Sequence, residues 1–313
     1  MLTLPMTGIL KKNFPSCRIF FLGKKYTKPV VDCCEHVDEF IDWDELSAQS
    51  QQEQIKFISS IDAETIVHVF PNIKIASLAK AAKIPERIGT GHRWFHWLSC
   101  NELPNIGRKK SNLHEAQLNV KLLAPLNLKT AYTLNELNNF CGFKNTKQLS
   151  GNFFALIDKQ RKNVIIHPKS RGSAREWGLS NFARLIDKLP EDKFNIFISG
   201  TKEEGEMMKD LIDKYPRIHD LTGKLTLPEF IAFIDSCDSF VAASTGPLHI
   251  AAALGKKTIG LYAPMRPIHP GRWAPIGKNA SYLTLDRNCS DCRRSGNCKC
   301  IRNISASDVA SRL

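Results

Sequence analysis

Residues 240–264 read FVAASTGPLHIAAALGKKTIGLYAP, and this stretch decides the fold of the second half of the chain. The apolar runs 240–243 and 258–262 have the length of buried strands, and a helix-length segment separates them. A strand, a helix and a second strand in this order predict a parallel β/α unit. The apolar runs 164–167 and 194–199 repeat the pattern upstream. The second half is therefore predicted to be a doubly wound α/β domain.

The turn that follows residues 240–243 predicts an anion-binding site. Proline is favoured as the first helical residue, so Pro247 places Gly246 at the N-cap. Free N–H groups then point out of the helix start, and a glycine lets an anion approach the backbone closely. For the turn as a whole, the alternative is a plain β/α turn with a suitable cap. For the histidine at position 249, a structural role is the alternative to contact with a ligand. The candidate ligand-binding residues of this turn are Ser244, Thr245, Gly246, Pro247, Leu248 and His249.

Two further turns lie at the same predicted edge of the sheet, because the carboxyl ends of parallel strands meet there. Residues 167–177 read HPKSRGSAREW, and their cations, hydroxyls and glycine suit phosphate oxygens. Arg171 in this loop is a candidate for a bidentate contact, although a solvated basic loop is the alternative. The turn after 194–199 contains Glu203 and Glu204, which predict either a ribose contact or an acidic first helical turn.

The length and composition of the chain predict two globular domains. A chain of 313 residues with 42% hydrophobic content exceeds one typical domain. In the first third, short β-branched or aromatic runs alternate with segments of helical periodicity, and the periodicity weakens at about 126–161. The predicted domains are therefore residues 1–140 and 141–313, both of the α/β class.

The net charge and the hydropathy limit which partners and which compartment we expect. A formal charge of +13 predicts attraction to a polyanion, which is a nucleic acid, an anionic membrane face or a phosphorylated substrate. The apolar runs are too short for a transmembrane helix and residues 1–15 lack a secretory signal, so we expect a cytoplasmic protein with reduced thiols. No nucleic-acid-binding motif is present, which makes nucleic acid the least favoured partner.

Four cysteines near the C-terminus form the pattern C-x2-C-x5-C-x-C. They are Cys289, Cys292, Cys298 and Cys300. This spacing permits tetrahedral zinc, but the second pair is tighter than in common zinc sites. We therefore do not favour a structural zinc, and no other cofactor is expected.

The motifs of the second half occur in the order and spacing of a known family. They are HPKSRGSAREWGLSNFARL (167–185), LTGKLTLPEF (221–230), AASTGPLHIAAALGKKTIGLYAP (242–264) and GRWAPIG (271–277). Together they resemble glycosyltransferase family 9, the ADP-heptose:lipopolysaccharide heptosyltransferases, and RIFFLG, ERIGTG and HEAQLN resemble that family's N-terminal domain. The resemblance implies GT-B architecture, with two Rossmann-like doubly wound domains facing a cleft. It also implies that residues 141–313 bind the nucleotide sugar and residues 1–140 bind the acceptor.

The resemblance also implies roles for single residues. Arg175 takes the place of the family's phosphate-binding lysine and is the candidate catalytic residue. Ser170 is expected at the diphosphate, and Glu204, with Glu203 as the second choice, at the ribose of an ADP-sugar. Ser244 stands where many members of the family carry aspartate, which leaves the identity of the donor sugar open.

The beginning of the chain departs from the family pattern. Residues 1–5 resemble the segment that directly follows the family's first strand and Gly-Asp loop. That loop supplies the general base, which takes the proton of the acceptor hydroxyl, and no residue here matches it. The general base is therefore unassigned. We expect that the chain begins at an internal methionine of a longer reading frame or is a naturally truncated member.

Basic and aromatic residues in the first half predict the acceptor side. Arg93 beside Trp94 suits a phosphate of a lipid-linked core oligosaccharide, and tryptophan suits a sugar ring or a membrane interface. A solvated basic surface is the alternative. His114, followed by Glu115, resembles a recurrent pair of the family and is the second candidate acceptor contact, with a helix-start role as the alternative.

Taken together, these features predict an inverting glycosyltransferase that moves heptose from ADP-heptose to a lipopolysaccharide inner-core acceptor. We expect it to be a peripheral protein on the inner face of the inner membrane, attracted by the anionic membrane surface. A transferase for another nucleotide sugar is the first alternative. The second is a nucleotide-binding remnant without catalysis, because the general base has no assigned residue.

Overall fold

The computed structural model describes residues 1–109, 111–285 and 299–313. It divides into two compact units, Leu2–Gly142 and Phe143–Leu313. The division falls two residues after the boundary expected between residues 140 and 141, inside the stretch where the helical periodicity weakens. Each unit has its own parallel strands and its own hydrophobic core.

The N-terminal unit alternates short strands with helices, as its sequence pattern predicts. Its strands are β1 Phe20–Gly23, β2 Glu39–Asp42, β3 Thr65–Val67 and β4 Glu86–Ile88. Its helices are α1 Leu4–Asn13, α2 Lys28–Val31, α3 Trp43–Leu46, α4 Gln51–Ser60, α5 Ile73–Ala81, α6 Trp94–Ser99, α7 Glu115–Val120 and α8 Leu134–Asn138, with 3₁₀ turns at Lys25–Thr27 and Lys121–Leu126. The strands pair in parallel, β1 with β2 and β3 with β4.

The C-terminal unit contains a six-stranded parallel sheet. Its strands are β5 Lys162–His167, β6 Phe194–Ile198, β7 His219–Asp220, β8 Ser239–Ala243, β9 Lys257–Tyr262 and β10 Ala280–Thr284. Its helices are α9 Gly151–Phe154, α10 Leu179–Asp187, α11 Lys202–Met207, α12 Lys209–Lys214, α13 Leu227–Ser236, α14 Gly246–Ala253, α15 Pro270–Trp273, α16 Lys299–Arg302 and α17 Ala306–Ala310. No helix in the described ranges combines the length and the hydrophobicity needed to span a bilayer.

The strand order in this sheet is β10-β9-β8-β5-β6-β7. From β5 the chain runs outward through β6 to β7, and it then returns to add β8 on the opposite side of β5. The order of the strands therefore reverses between β5 and β8. In open α/β sheets, the crevice beyond the carboxyl ends of the strands at such a switch point is where ligands bind.

Hydrophobic periodicity explains how α10 packs on the sheet. Phe182, Leu185 and Ile186 recur at helical spacing and are at most 1% exposed. Burying each of these side chains stabilises the fold by ~1.5–3 kcal/mol. Just before α10, Trp177 is fully buried and its Nε1 donates to the Ile304 carbonyl over 3.0 Å. The loop after β5 is therefore anchored in the core where it ends.

Helix α14 begins one residue earlier than the sequence predicts. Thr245 has an extended backbone, with φ −127° and ψ 163°, and occupies the N-cap position. The expectation that Gly246 is the N-cap is therefore wrong, because Gly246 already belongs to the helix. A β-branched residue favours the extended conformation of an N-cap, and Pro247 fits the second helical position since N–H groups of the first turn have no partner within the helix.

Gly277→Ala is expected to destabilise the C-terminal unit. A Cβ at this position would lie 2.2 Å from the Ala252 carbonyl oxygen and 3.1 Å from the Ala252 Cα, so the backbone of α14 would have to move. Overpacking of this kind costs about 1–3 kcal/mol, which lowers the thermal unfolding midpoint by several degrees. Gly151→Ala is the control, because a Cβ there meets nothing within 4 Å. Equal midpoints for the two variants would contradict the clash.

Candidate functional site

The carboxyl ends of β6, β5 and β8 lie side by side, because β5 pairs in parallel with both of the other strands. The turns that follow these strands are therefore neighbours at one edge of the sheet. They are the three turns that the sequence indicates as ligand-binding. This edge contains the topological switch point, so we build the candidate site from these turns.

The turn after β8 contains a buried hydroxyl without a hydrogen-bond partner. Thr245 is 6% exposed, and its Oγ1 contacts no donor or acceptor among the described residues. An unsatisfied buried hydroxyl costs about 1–3 kcal/mol. At the adjacent Gly246, an added Cβ would meet nothing within 4 Å, so the space beside the helix start is open. The start of α14 thus combines open space, free N–H groups and an unused hydroxyl, which suits an anion.

Ser244 is tied to the strand on the other side of the turn. Its side chain hydrogen-bonds to the Tyr262 hydroxyl, which donates to the Trp273 carbonyl. Burial raises the pKa of Tyr262, and the Ser244 bond opposes that rise. This chain of bonds connects the β8 turn to the GRWAPIG motif. It holds Ser244 in position without the charge that an aspartate would bring.

The loop after β5 is held together by its own side chains. Lys169 Nζ lies 2.7 Å from the Glu176 carboxylate, and the buried Ser170 donates its hydroxyl to the Ala174 carbonyl over 3.0 Å. Arg171 adopts φ 47°, in the left-handed region that glycine favours, and Gly172 follows with φ 76°. This turn leaves the Arg171 side chain 70% exposed. Ser170 therefore supports the loop, whereas Arg171 extends from it.

The turn after β6 begins α11 with a capping box. Thr201 N–H donates to the Glu204 carboxylate over 2.9 Å, and Glu204 N–H donates to the Thr201 hydroxyl over 3.3 Å. Glu204 is buried, whereas Glu203 is exposed and lies 3.8 Å from Arg171. Part of the acceptor capacity of Glu204 is thus used by the helix start, as the alternative interpretation of this turn predicts.

A pocket of ≈ 410 Å³ lies between the β5 loop and the β6 turn. Its lining residues are Lys169, Arg171, Gly172, Glu176, Thr201, Glu203, Glu204 and Met207. The pocket brings together two of the predicted donor-binding residues, Arg171 and Glu204. The β8 turn lies on the opposite side of β5. The candidate site therefore has two parts, which flank the β5 loop.

His167 ends β5 directly beneath this site. Its Nδ1 lies 3.0 Å from the Ser199 hydroxyl, and its ring packs against Phe230 and Phe240. Burial lowers the pKa of His167 to about 4, although Glu204 and the bond to Ser199 oppose the shift. A neutral imidazole at this position supports the floor of the site without adding charge. The sequence gives no signal for the pairing of His167 with Ser199, since 32 residues separate them.

The candidate acceptor residues of the N-terminal unit differ in their surroundings. Arg93 is exposed at the start of α6. His114 is 2% exposed, and its Nδ1 accepts the Ala116 N–H over 3.2 Å as the N-cap of α7. The helix-start role that the sequence left open for His114 is therefore present. Arg108 forms an ion pair with Glu115 and donates to the Asn119 side chain over 3.0 Å.

The cysteine pattern falls mostly outside the described residues. Cys289, Cys292 and Cys298 lie there, and Cys300 is buried in α16. Among the described residues, no group of three or more histidine, cysteine, aspartate or glutamate side chains is arranged to hold a metal ion. The zinc hypothesis stays untested.

Comparison with known proteins identifies the family. The model of glycosyltransferase family 9 (heptosyltransferase) matches residues 55–300, which is most of the chain. The chain belongs to glycosyltransferase family 9. It is therefore a glycosyltransferase.

Relatives that match most of the chain agree with this assignment. A Haemophilus influenzae protein with a glycosyltransferase description is 25% identical over 303 residues, which cover 93% of this chain and 85% of that protein. Lipopolysaccharide heptosyltransferase 3 of Escherichia coli K12 is 22% identical over 280 residues, covering 84% and 78%. The structure of the E. coli ADP-heptose LPS heptosyltransferase II superposes with a TM-score of 0.75 at 16% identity, covering 100% of this chain and 93% of that one. The α/β fold of GT-B type expected from the family 9 motifs is confirmed.

One contact of the candidate site has no sequence signal. The ion pair between Lys169 and Glu176 joins residues seven apart in a loop without periodicity, so spacing does not predict it.

The remaining predicted residues lie at the end of the β5 loop and in α14. Arg175 is partly buried, two residues before the anchored Trp177. Pro247 and His249 lie in the first turn of α14, and Leu248 is fully buried, so only its backbone N–H is available to a ligand.

Thr245→Val is expected to preserve or slightly raise stability and to weaken ADP binding about tenfold. Valine removes a buried hydroxyl that has no hydrogen-bond partner among the described residues, whereas an anion at the helix start loses a charge-assisted hydrogen bond. Thermal unfolding and isothermal titration with ADP measure the two effects. The matched control is Thr284→Val on the edge strand β10, which removes another buried hydroxyl without a partner in the described part of the chain. An equal loss of ADP affinity in Thr245→Val and Thr284→Val would contradict the assignment of the Thr245 hydroxyl to the anion site.

His167 is expected to make the C-terminal unit less stable between pH 6.5 and pH 4. Because its pKa falls from 6.5 to about 4 on folding, the unfolded chain binds a proton in this window that the folded chain does not. The free energy of unfolding therefore falls as the pH falls, by up to about 3 kcal/mol. Urea unfolding across this range measures the slope. In His167→Asn, which retains a partner for Ser199, the slope is expected to be shallower, and an unchanged slope would rule out this group as its source.

Proposed function

We propose that the protein transfers a heptose from ADP-heptose to a lipopolysaccharide inner-core acceptor, with inversion. The observation that carries the proposal is the convergence of three polar turns at the switch point of the C-terminal sheet, in a chain of glycosyltransferase family 9. Relatives described as lipopolysaccharide heptosyltransferases, one of them as an ADP-heptose enzyme, support the choice of donor and acceptor.

In this proposal the donor diphosphate binds at the start of α14. The Thr245 hydroxyl, which has no partner among residues 1–109, 111–285 and 299–313, gains one from the ligand, and Gly246 permits close approach of the phosphate oxygens. The helix macrodipole adds ~0.3–1 kcal/mol for each negative charge. Lys169 and Arg171 of the neighbouring β5 loop supply the positive charge that a diphosphate requires.

The nucleoside part of the donor is proposed to occupy the pocket between the β5 loop and the β6 turn. A volume of ≈ 410 Å³ is in the range that holds small ligands. The Glu204 carboxylate and the Thr201 hydroxyl line the pocket and offer partners for ribose hydroxyls. Met207 gives the same pocket an apolar wall for the base.

The chemical step is a displacement at the anomeric carbon of the heptose. The acceptor oxygen forms the new bond, the bond to the diphosphate breaks, and the acceptor proton passes to a general base that has no assigned residue here. Negative charge develops on the departing diphosphate, where Arg175 and the start of α14 are proposed to stabilise it. In this proposal the cationic side chains of the protein stabilise the departing diphosphate, and no metal ion is invoked for that purpose.

The acceptor is proposed to bind the N-terminal unit. Arg93 is exposed and cationic, which suits a phosphate of the lipid-linked core oligosaccharide. His114 is better described as a cap that positions α7, since its ring is buried and accepts a backbone N–H. We further propose that the protein works as a peripheral protein on the inner face of the inner membrane, where this acceptor is anchored.

Donor screening with Arg175→Ala tests the proposal. The wild-type chain is expected to transfer heptose from ADP-heptose to a heptose-deficient core acceptor, measured by mass spectrometry of the product. Arg175→Ala is expected to lower kcat about 100-fold, because removing one group that stabilises developing charge has an effect of that order. Arg184→Ala, an exposed arginine on α10, is the control and is expected to retain activity.

The outcomes separate the competing functions. Transfer from another nucleotide sugar, but not from ADP-heptose, would reassign the donor and would fit the replacement of aspartate by Ser244. Tight ADP binding without transfer from any donor would favour a nucleotide-binding protein without catalysis. Equal kcat values for Arg175→Ala and Arg184→Ala would remove Arg175 from the mechanism.

A further inference from the structure

Helix α6 presents a row of large apolar side chains to solvent. Trp94, Trp97 and Leu98 are 69%, 66% and 65% exposed. Positions i, i+3 and i+4 of a helix share one face, so these side chains form one surface. The α6 patch is defined as these three residues together with Phe70 and Ile73 of the adjacent segment, which are 87% and 45% exposed. Exposed large apolar side chains that share one helix face mark an interaction site on a folded protein.

The helix that carries the α6 patch is held firmly by the rest of the unit. His96 on its inner face is fully buried, and its ring lies 5.4 Å from the ring of His68, two residues before Phe70. Trp97 Nε1 donates to the Gly91 carbonyl over 2.9 Å, so the polar atom of this side chain is satisfied. The apolar rings are therefore displayed by an anchored helix.

Cations secure the C-terminal end of the same helix. Lys80 Nζ donates to the Leu98 carbonyl over 2.7 Å, and Arg87 Nε donates to the Ser99 carbonyl over 2.8 Å. Positive charge at a helix C-terminus is stabilising. It also places cations beside the apolar face.

The segment around the α6 patch is strongly basic. Residues 71–110 contain eight lysine or arginine residues and two glutamates, a net charge of +6 in 40 residues, out of +13 for the whole chain. Arg93 stands at the start of α6, directly before Trp94, and is exposed. Arg93, Lys80 and Arg87 thus place cations at the two ends of the helix that carries the apolar side chains.

We propose that the α6 patch is the surface by which this protein docks on a bilayer that contains anionic lipids. Tryptophan side chains favour the headgroup region, and an apolar helix face with flanking cations binds anionic membranes by insertion and by charge attraction. Exposed Leu98 and Ile73 favour a bilayer over a carbohydrate, because aliphatic side chains have no ring face on which a sugar stacks.

The α6 patch lies where docking would bring the protein close to a membrane-anchored acceptor. This point rests on the proposed function. Phe70 follows β3 and α6 follows β4, and the parallel pairing of these strands places both segments at the same edge. Ligands of α/β units bind beyond the carboxyl ends of the strands. Docking through this edge would bring the acceptor-binding side of the unit to the lipid in which the acceptor is anchored.

Vesicle flotation with Trp94→Ser/Leu98→Ser tests the proposal without donor or acceptor present. The wild-type chain is expected to float with phosphatidylcholine vesicles that contain 30% phosphatidylglycerol and to bind pure phosphatidylcholine at least tenfold more weakly. The double variant is expected to lose at least tenfold in affinity for the anionic vesicles. Both substituted side chains are exposed and Trp97 keeps its bond to Gly91, so circular dichroism is expected to remain unchanged. Phe154→Ser, an exposed aromatic residue of α9, is the control.

Two further measurements separate docking from simple charge attraction. Lipids brominated in the upper acyl chain are expected to quench the fluorescence of the wild-type chain, and Trp94→Ser is expected to lose part of that quenching. Arg93→Gln is expected to weaken binding to anionic vesicles several-fold. The fraction of this variant that still binds is expected to be quenched by the brominated lipids like the wild-type chain.

The outcomes that would overturn the proposal are distinct from failure of the proposed function. Equal flotation of the wild-type chain and the double variant, or absence of bromolipid quenching, would show that the α6 patch does not enter the bilayer. Loss of binding only to vesicles that carry core oligosaccharide would reassign the patch to the sugar. Vesicle binding that depends on the patch in a chain that transfers no sugar would support docking and reject the transferase proposal alone.

Discussion

The parallel pairing of β5 with both β6 and β8 is the constraint on which the rest of the C-terminal unit depends. It places three strand ends next to one another and leaves the chain to return across the sheet between β7 and β8. The backbone N–H and C=O groups of these buried strands are satisfied within the sheet, whereas those of the turns beyond it are open to a ligand. Chemistry is therefore confined to the turns, and the helices between the strands supply the apolar faces that hold the sheet in place.

Much of this arrangement can be predicted from the sequence, because buried strands and helix starts have recognisable local residue patterns. Apolar runs predict the strands, and Gly246-Pro247 predicts a helix start with open space beside it. The sequence does not specify which residue caps that helix, because Thr245 and Gly246 both fit the position. It also does not predict the contacts inside the β5 loop, since the bonds of Lys169 and Ser170 depend on a backbone path without periodicity.

Several polar residues that look functional in the sequence also satisfy the ends of helices. Glu204 forms a capping box with Thr201, and His114 accepts the N–H of Ala116. Helix starts and anion sites select the same residue types, because both need groups that pair with free N–H donors. Sequence alone does not separate the two roles. Burial and bonding distances do, and in the described residues of the three turns they favour Thr245, whose hydroxyl is buried without a partner.

The ion pair of Lys169 with Glu176 has a consequence for selectivity. A bound anion that uses Lys169 has to compete with a carboxylate that is already 2.7 Å away. A monovalent anion offers little more than the carboxylate it would replace, whereas a diphosphate brings more charge and more acceptor oxygens. At the proposed donor site, the Lys169–Glu176 pair would therefore raise the affinity that an anion needs to bind, and chloride and other small ions abundant in the cell would be excluded before any shape is recognised.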